Sequence, residues 1–290
     1  MQFRTDLAIE AVKAAPETKL PGIRQESQQI EDIKLLRIYI ENEQGEKELG
    51  RPIGAYITAE LPPLSDDEEN MEQKATVLGA ELRSLLPEQG TVLVVGLGNQ
   101  SVTPDALGPR SAGMVLATRH IEGEFARSTG LDKLRSAAVF VPGVLGQTGV
   151  ESSEMVHGIC GIVKPAAVIV IDALAARSVE RLGCTVQICD TGIAPGSGVG
   201  NNRIALNRET LGVPVIGLGV PTVVDARTVA MDLTGREEAG EQVTPRGSEM
   251  MVTPREIDLI IRRASNLIAM MVNAALQPEY SPLSLISAAG

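Results

Sequence analysis

The stretch Thr91–Arg110, TVLVVGLGNQSVTPDALGPR, constrains the fold more than any other part of this 290-residue chain. Thr91–Val95 is an uninterrupted apolar run rich in β-branched residues, the pattern of a strand buried on both faces, as a parallel sheet requires. Gly96-Leu97-Gly98-Asn99 breaks it sharply and a polar loop follows. Asp105 then stands just before a helix expected over about 106–120. An acid beyond the carboxyl end of a buried strand lies where open α/β sheets place their ligands.

A second stretch repeats the design. Ala167–Ile171 is another continuous apolar run, Asp172 closes it, and Ala173–Ser178 is expected as loop or helix start. If the two strands are parallel neighbours, both carboxylates face one crevice.

Around this pair the chain alternates. Strands are expected near 91–95, 137–141, 167–171, 185–189 and 214–219, with helices near 106–120, 151–163 and from 223. Such alternation predicts a mostly parallel central sheet flanked by helices. Ahead of it, Leu35–Ile40 and Gly54–Ala59 predict two strands with a turn over 41–50, a small N-terminal β extension. Ala75–Leu86 has helical periodicity, and Pro254 suits the first turn of a last helix over about 255–275. The Gly-, Glu- and Thr-rich segment 232–253 reads as a surface insertion.

Bulk properties narrow the function. Aromatic residues make up only 2% of the chain, so the core must be aliphatic. A net charge of −11 argues against a direct nucleic-acid partner, because phosphate binding needs a basic surface. No apolar run approaches the ~20 residues of a membrane span, so no membrane partner is expected. Cys160, Cys184 and Cys189 form no CxxC pair, which favours reduced thiols and a cytoplasmic protein.

Other motifs are weaker. The start of a dinucleotide fingerprint at Gly96 fails, because position 101 is Ser where a third glycine belongs. Gly196-Ser197-Gly198 is no nucleophile elbow, because position 195 is Pro. His120 and His157 both fall in expected helices, and two histidines make neither a serine triad nor a zinc set. Asp190-Thr191-Gly192 matches the tripeptide of all-β aspartic proteases, but those need two such loops; here it reads as a strand-ending turn.

A single Asp at an element boundary is ordinarily a cap. Two of them, each following a strongly apolar strand, favour a functional pair. Two carboxylates in one partly dry cleft cannot both ionise easily, so one would activate water while the other donates a proton. That is peptide hydrolysis without a nucleophilic side chain and with no cofactor; the same pair could instead hold a divalent metal.

Longer strings carry a resemblance. Gly96-Leu97-Gly98-Asn99, Thr103–Pro109, Val141-Pro142-Gly143-Val144, Ile171–Arg177, Pro195–Asn201, Gly219–Ala226 and Met251-Val252-Thr253-Pro254 resemble, in order and over nearly the whole chain, the spore germination protease family. The family is similar in fold to the hydrogenase-maturation endopeptidases. The resemblance implies an endopeptidase of atypical aspartic type that degrades small acid-soluble spore proteins in the spore core. It places the two essential aspartates on Asp105 and Asp172, and implies a homotetramer and an autoprocessed zymogen. Asn99, Thr103, Arg177, Ser197 and Asn201 are expected as substrate-binding or supporting residues.

The family cuts after an acidic residue, before a large apolar residue and then Ala. Asp6-Leu7-Ala8 has that form, although Asp6 would also cap a short helix. Cleavage between Asp6 and Leu7 would divide the chain into a propeptide, residues 1–6, and a single α/β peptidase domain, 7–290. This propeptide and the segment 232–253 are both shorter than the family usually shows. The alternatives are a metal-dependent, nickel-type maturation endopeptidase of related fold and a non-enzymatic nucleotide-binding module.

Overall fold

Val92–Gly96 (β4) is wholly buried and pairs in parallel on both sides, with Ala137–Phe140 (β5) and Ala167–Ala176 (β6). Its alternate side chains enter different cores. Val92 and Val94 join the large cluster under one face, while Leu93 and Val95 join a smaller one under the other. That two-sided burial is why these strands read as continuous apolar runs.

The computed structural model describes residues 5–10, 21–66, 69–121, 123–129, 131–194, 204–236, 239–243 and 250–289. Six further strands complete the sheet: Ile23–Ile30 (β1), Ile33–Ile40 (β2), Gly54–Glu60 (β3), Thr185–Cys189 (β7), Val215–Asp225 (β8) and Met251–Val252 (β9). The order is β1-β2-β3-β7-β8-β6-β4-β5, with β9 beside β8. Strands β8, β6, β4 and β5 are mutually parallel, whereas every pairing through β7, β3, β2, β1 and β9 is antiparallel. The expected parallel sheet is therefore the central part of a mixed one, and the N-terminal extension is continuous with it through the β3–β7 pairing.

The described helices are α1 (Glu43–Leu49), α2 (Met71–Ser84), α3 (Leu107–Ala112), α4 (Gly123–Thr129), α5 (Leu145–Thr148), α6 (Ser152–Val163), α7 (Arg208–Leu211), α8 (Ala226–Thr234), α9 (Ala239–Gln242), α10 (Ile257–Leu276) and α11 (Pro282–Ala289). Helices α2 and α10 cover one face with Leu78, Leu82, Leu267 and Met271. Helix α6 contributes Val156 to the other. Contrary to the expectation that no stretch approaches membrane-spanning length, helix α10 is long and apolar enough to cross a membrane by length and composition alone, but 72% of its apolar window is buried inside the fold, where it forms core.

Several expectations are corrected. Asp172 does not end its strand: β6 continues to Ala176 because the equally extended β8 pairs with it throughout, through a bulge at Leu174/Ala175. The 173–178 segment is thus strand up to Ala176, and the helix expected from 223 starts at Ala226. The helix expected over 106–120 stops at Ala112. Gly113 follows, and beyond it the backbone N–H groups of Leu116 and Thr118 are claimed by Asn273 Oδ1 and the Ala137 carbonyl. The 41–50 turn contains α1, capped by the Asn42 side chain and closed by Gly50 in the left-handed conformation. Strand β1 was not foreseen; its six central residues are exposed and polar, so it carries no apolar alternation. Within 232–253, α8 runs on to Thr234 and β9 pairs with β8.

Candidate active site

The site forms where β4 stops and its neighbour β6 continues. Gly96 makes the last ladder pair with Ile171, and Leu97 N–H donates to the Ile171 carbonyl at 2.8 Å. The chain then leaves the sheet at Gly98, whose φ is +116°. A Cβ there would stand 2.0 Å from the Asp105 carbonyl oxygen, so the Thr103–Asp105 turn lies directly against it. Gly108, at the start of α3, lets that helix approach equally closely; a Cβ would stand 2.1 Å from the Leu97 carbonyl and 2.5 Å from that of Ile171. Missing side chains at two positions thus bring the Asp105 turn down onto the residue before Asp172.

Asp105 is half-buried and its Oδ2 accepts the Asn99 N–H at 2.7 Å. Asp172 is 9% exposed, and its Oδ1 accepts the Ala173 N–H at 2.9 Å. By strand alternation Asp172 shares a face with Val168 and Val170, so it occupies a position where the sheet otherwise places apolar residues. Both aspartates line one cavity of about 600 Å³. A methyl group at Gly98 would force the turn away or twist the loop. Gly98→Ala is therefore expected to lower any activity of this cavity by about 10²-fold or more, the scale of a 1 Å misplacement. Steady-state kinetics beside a thermal melt checks this, and an active Gly98→Ala protein would show that the loop geometry is not needed.

The chain's own head forms part of the wall of the same cavity through Asp6. Asp6 pairs with β6 beyond Asp172: its N–H donates to the Ala175 carbonyl at 2.9 Å, and its Oδ2 accepts the Ala175 N–H at 2.8 Å. Arg51 Nη2 donates to the Thr5 carbonyl at 2.8 Å. Leu7 and Ala8 are fully buried, Leu7 against Leu174, Ala176 and Val224, and Ala8 against Ile38, Tyr56 and Cys189. The Glu10 carboxylate accepts the backbone N–H groups of Arg177 and Ser178 at 2.8 and 3.0 Å. Asp6 is spent on Ala175, and it is the Thr5 hydroxyl that accepts the Leu7 N–H, at 3.1 Å.

The remaining expected site residues are distributed around this centre. Asn99 sits behind Asp105, its Oδ1 accepting from Ser101 N–H and Gln147 Nε2, both at 3.0 Å. Thr103 opens the Asp105 turn. Arg177 meets Glu10 through its backbone. Asn99, Thr103 and Arg177 are not among the residues lining the cavity. Ser197 and Asn201 lie outside the described residues. Asp190 does not line the cavity; it accepts the Ala55 N–H at 2.8 Å and ties β7 to β3, and its burial raises the carboxyl's pKa. Sequence reasoning missed Arg51, Glu10 and Gln187. Only Glu10, an acid four residues after Asp6, left any signal.

The other reactive groups in the cavity have defined states. Burial pushes the Tyr56 phenol up to about 12, so it stays protonated and donates to the Pro52 carbonyl at 2.8 Å. Burial likewise raises the Cys189 thiol, which donates to the Gly192 carbonyl at 3.3 Å; a buried, protonated thiol is a poor nucleophile. Among the described residues no histidine lines the cavity, and no group of three or more His, Cys, Asp or Glu side chains is gathered as a metal would need.

Comparison with known proteins assigns the class first: over residues 5–236 the chain matches the model of a peptidase family, so it is a protease. That family is described as germination protease, and the chain belongs to it. Germination proteases of Caldanaerobacter subterraneus and Clostridium perfringens are 43% and 41% identical; each alignment covers 95% of this chain and at least 94% of the relative. That of Priestia megaterium is 36% identical over 95% of this chain and 94% of its own. Among solved structures, a [NiFe] hydrogenase maturation protease, HycI, from Thermococcus kodakarensis matches 67% of this chain and 98% of its own, with a TM-score of 0.39 and 19% identity.

Proposed function

We propose that this protease of spore germination hydrolyses peptide bonds after an acidic residue, using water activated between Asp105 and Asp172. Its substrates would be the small acid-soluble spore proteins, and it would be made as a zymogen that removes its own residues 1–6. The observation that carries this reading is the coincidence of three things in one cavity: the Asp105 carboxylate, the Asp172 carboxylate and the head's Asp6.

In this mechanism the ionised carboxylate takes a proton from water as the oxygen attacks the carbonyl carbon after the acidic residue. The protonated partner gives its proton to the carbonyl oxygen; as the resulting diol collapses, the first carboxyl passes the proton it took from water to the leaving amine, and the second takes a proton back from a diol hydroxyl. The two titrate as a pair, so acid and base are roles of the pair rather than of either residue. The absence of histidine from the described lining and the protonated state of Cys189 support carboxylate chemistry over a serine or cysteine nucleophile. Likeness to the family extends the proposal to a homotetramer acting in the spore core, with residues 7–290 as the single α/β peptidase domain left by self-cleavage.

The test is mass spectrometry of the purified chain, incubated alone at mildly acidic pH and then with a peptide containing Glu-Ile-Ala. Loss of Met1–Asp6 and a cut after Glu are expected. A folded protein that cuts neither would overturn the reading, and activity lost to chelators and restored by nickel or zinc would move it to a metallopeptidase.

A further inference from the structure

Two side chains in the cavity hold the head by its main chain alone. Arg51 follows the left-handed Gly50 that ends α1, and its Nη2 reaches the Thr5 carbonyl, one residue before Asp6. That carbonyl is its hydrogen-bond partner among the described residues, and its charge also acts on Tyr56 and Cys189 across the cavity wall.

On the other side stands Gln187, at the centre of β7 and 4% exposed. Its Nε2 donates to the carbonyls of Ile57 and Ile188, both at 3.1 Å, and its Oε1 accepts the Thr58 hydroxyl at 3.0 Å. Those three bonds fix the carboxamide's orientation. The same Oε1 is left facing the Ala8 N–H, two residues past Asp6, at 3.4 Å.

The Asp6–Leu7 bond lies between these two contacts. Both Arg51 and Gln187 line the cavity that holds Asp105 and Asp172. Neither contact reads a head side chain. The acidic side chain is met separately, by the Ala175 N–H.

We propose that Arg51 and Gln187 bind substrate as they bind the head. Arg51 takes the carbonyl of the residue preceding the acidic one, and Gln187 takes the N–H of the second residue beyond the cut. They grip the peptide backbone on both sides of the scissile bond and hold it against the aspartates, while side-chain selection is left to other groups. This rests on the Asp6–Leu7 bond lying in the path that substrates follow. Buried acceptors and donors presented to a peptide main chain are the usual means of fixing an extended ligand whatever its sequence.

The test uses the self-processed full chain and the peptide acetyl-Thr-Asp-Leu-Ala-Ile-Glu-Ala-amide. Arg51→Ala is expected to raise KM by about 10- to 100-fold, the scale of a hydrogen bond to a charged group, with kcat within a few-fold of the parent. Arg51→Lys should recover part of the loss. Replacing the threonine carbonyl of the peptide by a thiocarbonyl, a weaker acceptor, should raise KM for the parent and leave Arg51→Ala unaffected. Replacing the first alanine by lactate, which removes its N–H, should cost the parent more than Gln187→Met. A thermal melt checks that each variant folds.

If the parent cleaves the peptide and Arg51→Ala keeps its KM, or loses kcat alone, the backbone grip is wrong while the aspartate site stands. If the parent cleaves neither its own head nor the peptide, the underlying reading fails and takes this one with it.

Discussion

Asp172→Asn is expected to lower kcat by about 10²–10⁴-fold on a peptide cut after an acidic residue, with the fold intact, and Asp105→Asn to do the same; that is the range of a positioned acid or base. The substitution is nearly isosteric. An asparagine oxygen can still accept the Ala173 N–H that Asp172 Oδ1 accepts at 2.9 Å, so the strand has no reason to move. What is lost is the ability to carry a proton. The double variant is expected to be little worse than either single one, because groups that act as a unit are not additive. The pH profile gives an independent reading. With one carboxyl ionised and one protonated in the working state, activity falls on the acid side as both protonate and on the alkaline side as both ionise, giving a bell. Each single Asn variant should lose the bell and keep only a low, flat residue of activity. A variant with parental kcat/KM at either position would remove that aspartate from the mechanism.

The centre of this arrangement was legible because burial writes it into the sequence. Strands β4 and β6 lie between two cores, so their runs 91–95 and 167–171 stand out, and an acid following such a run is conspicuous. Where β6 ends was not legible. Ala173–Ala176 is small and apolar and suits either helix or strand, and only the pairing with β8 decides it. Helix α3 was overextended for a related reason: Asn273, 157 residues away in sequence from Leu116, takes the backbone there. Strand β1 failed the opposite way, being held by its partner β2 rather than by any face it buries.

The rim of the site was hidden for the same reason. Arg51 meets a residue 46 positions away, and Gln187 meets one 179 positions away. No local spacing marks either, whereas Asp105 and Asp172 each announce themselves beside their own strand.

The largest gain in activity is expected from removing the head beyond the proposed cut. Breaking the Asp6–Leu7 bond releases only residues 1–6, with their bonds to Ala175 and Arg51. Leu7, Ala8 and Ile9 remain buried, and Glu10 remains held by two backbone amides. Hydrogen bonds to a charged group contribute about 1.5–3 kcal/mol each, and burial of a leucine-sized side chain contributes about as much again. Those four residues would therefore stay seated after the cut and compete with substrate on its leaving side. A tethered segment acts at an effective concentration of the order of millimolar. Against a peptide well below its KM, a chain starting at Ala11 should exceed the full-length protein in kcat/KM by on the order of 10²-fold, with a chain starting at Leu7 in between. Glu10→Ala in the full-length chain, measured before self-cleavage sets in, should move part of the way by loosening the anchor without exposing Leu174, Ala176 and Val224 outright. Equal kcat/KM across all four proteins would mean that the head does not lie in the substrate's path. A gain confined to loss of residues 1–6 would mean that Leu7–Glu10 is part of the working enzyme rather than a plug.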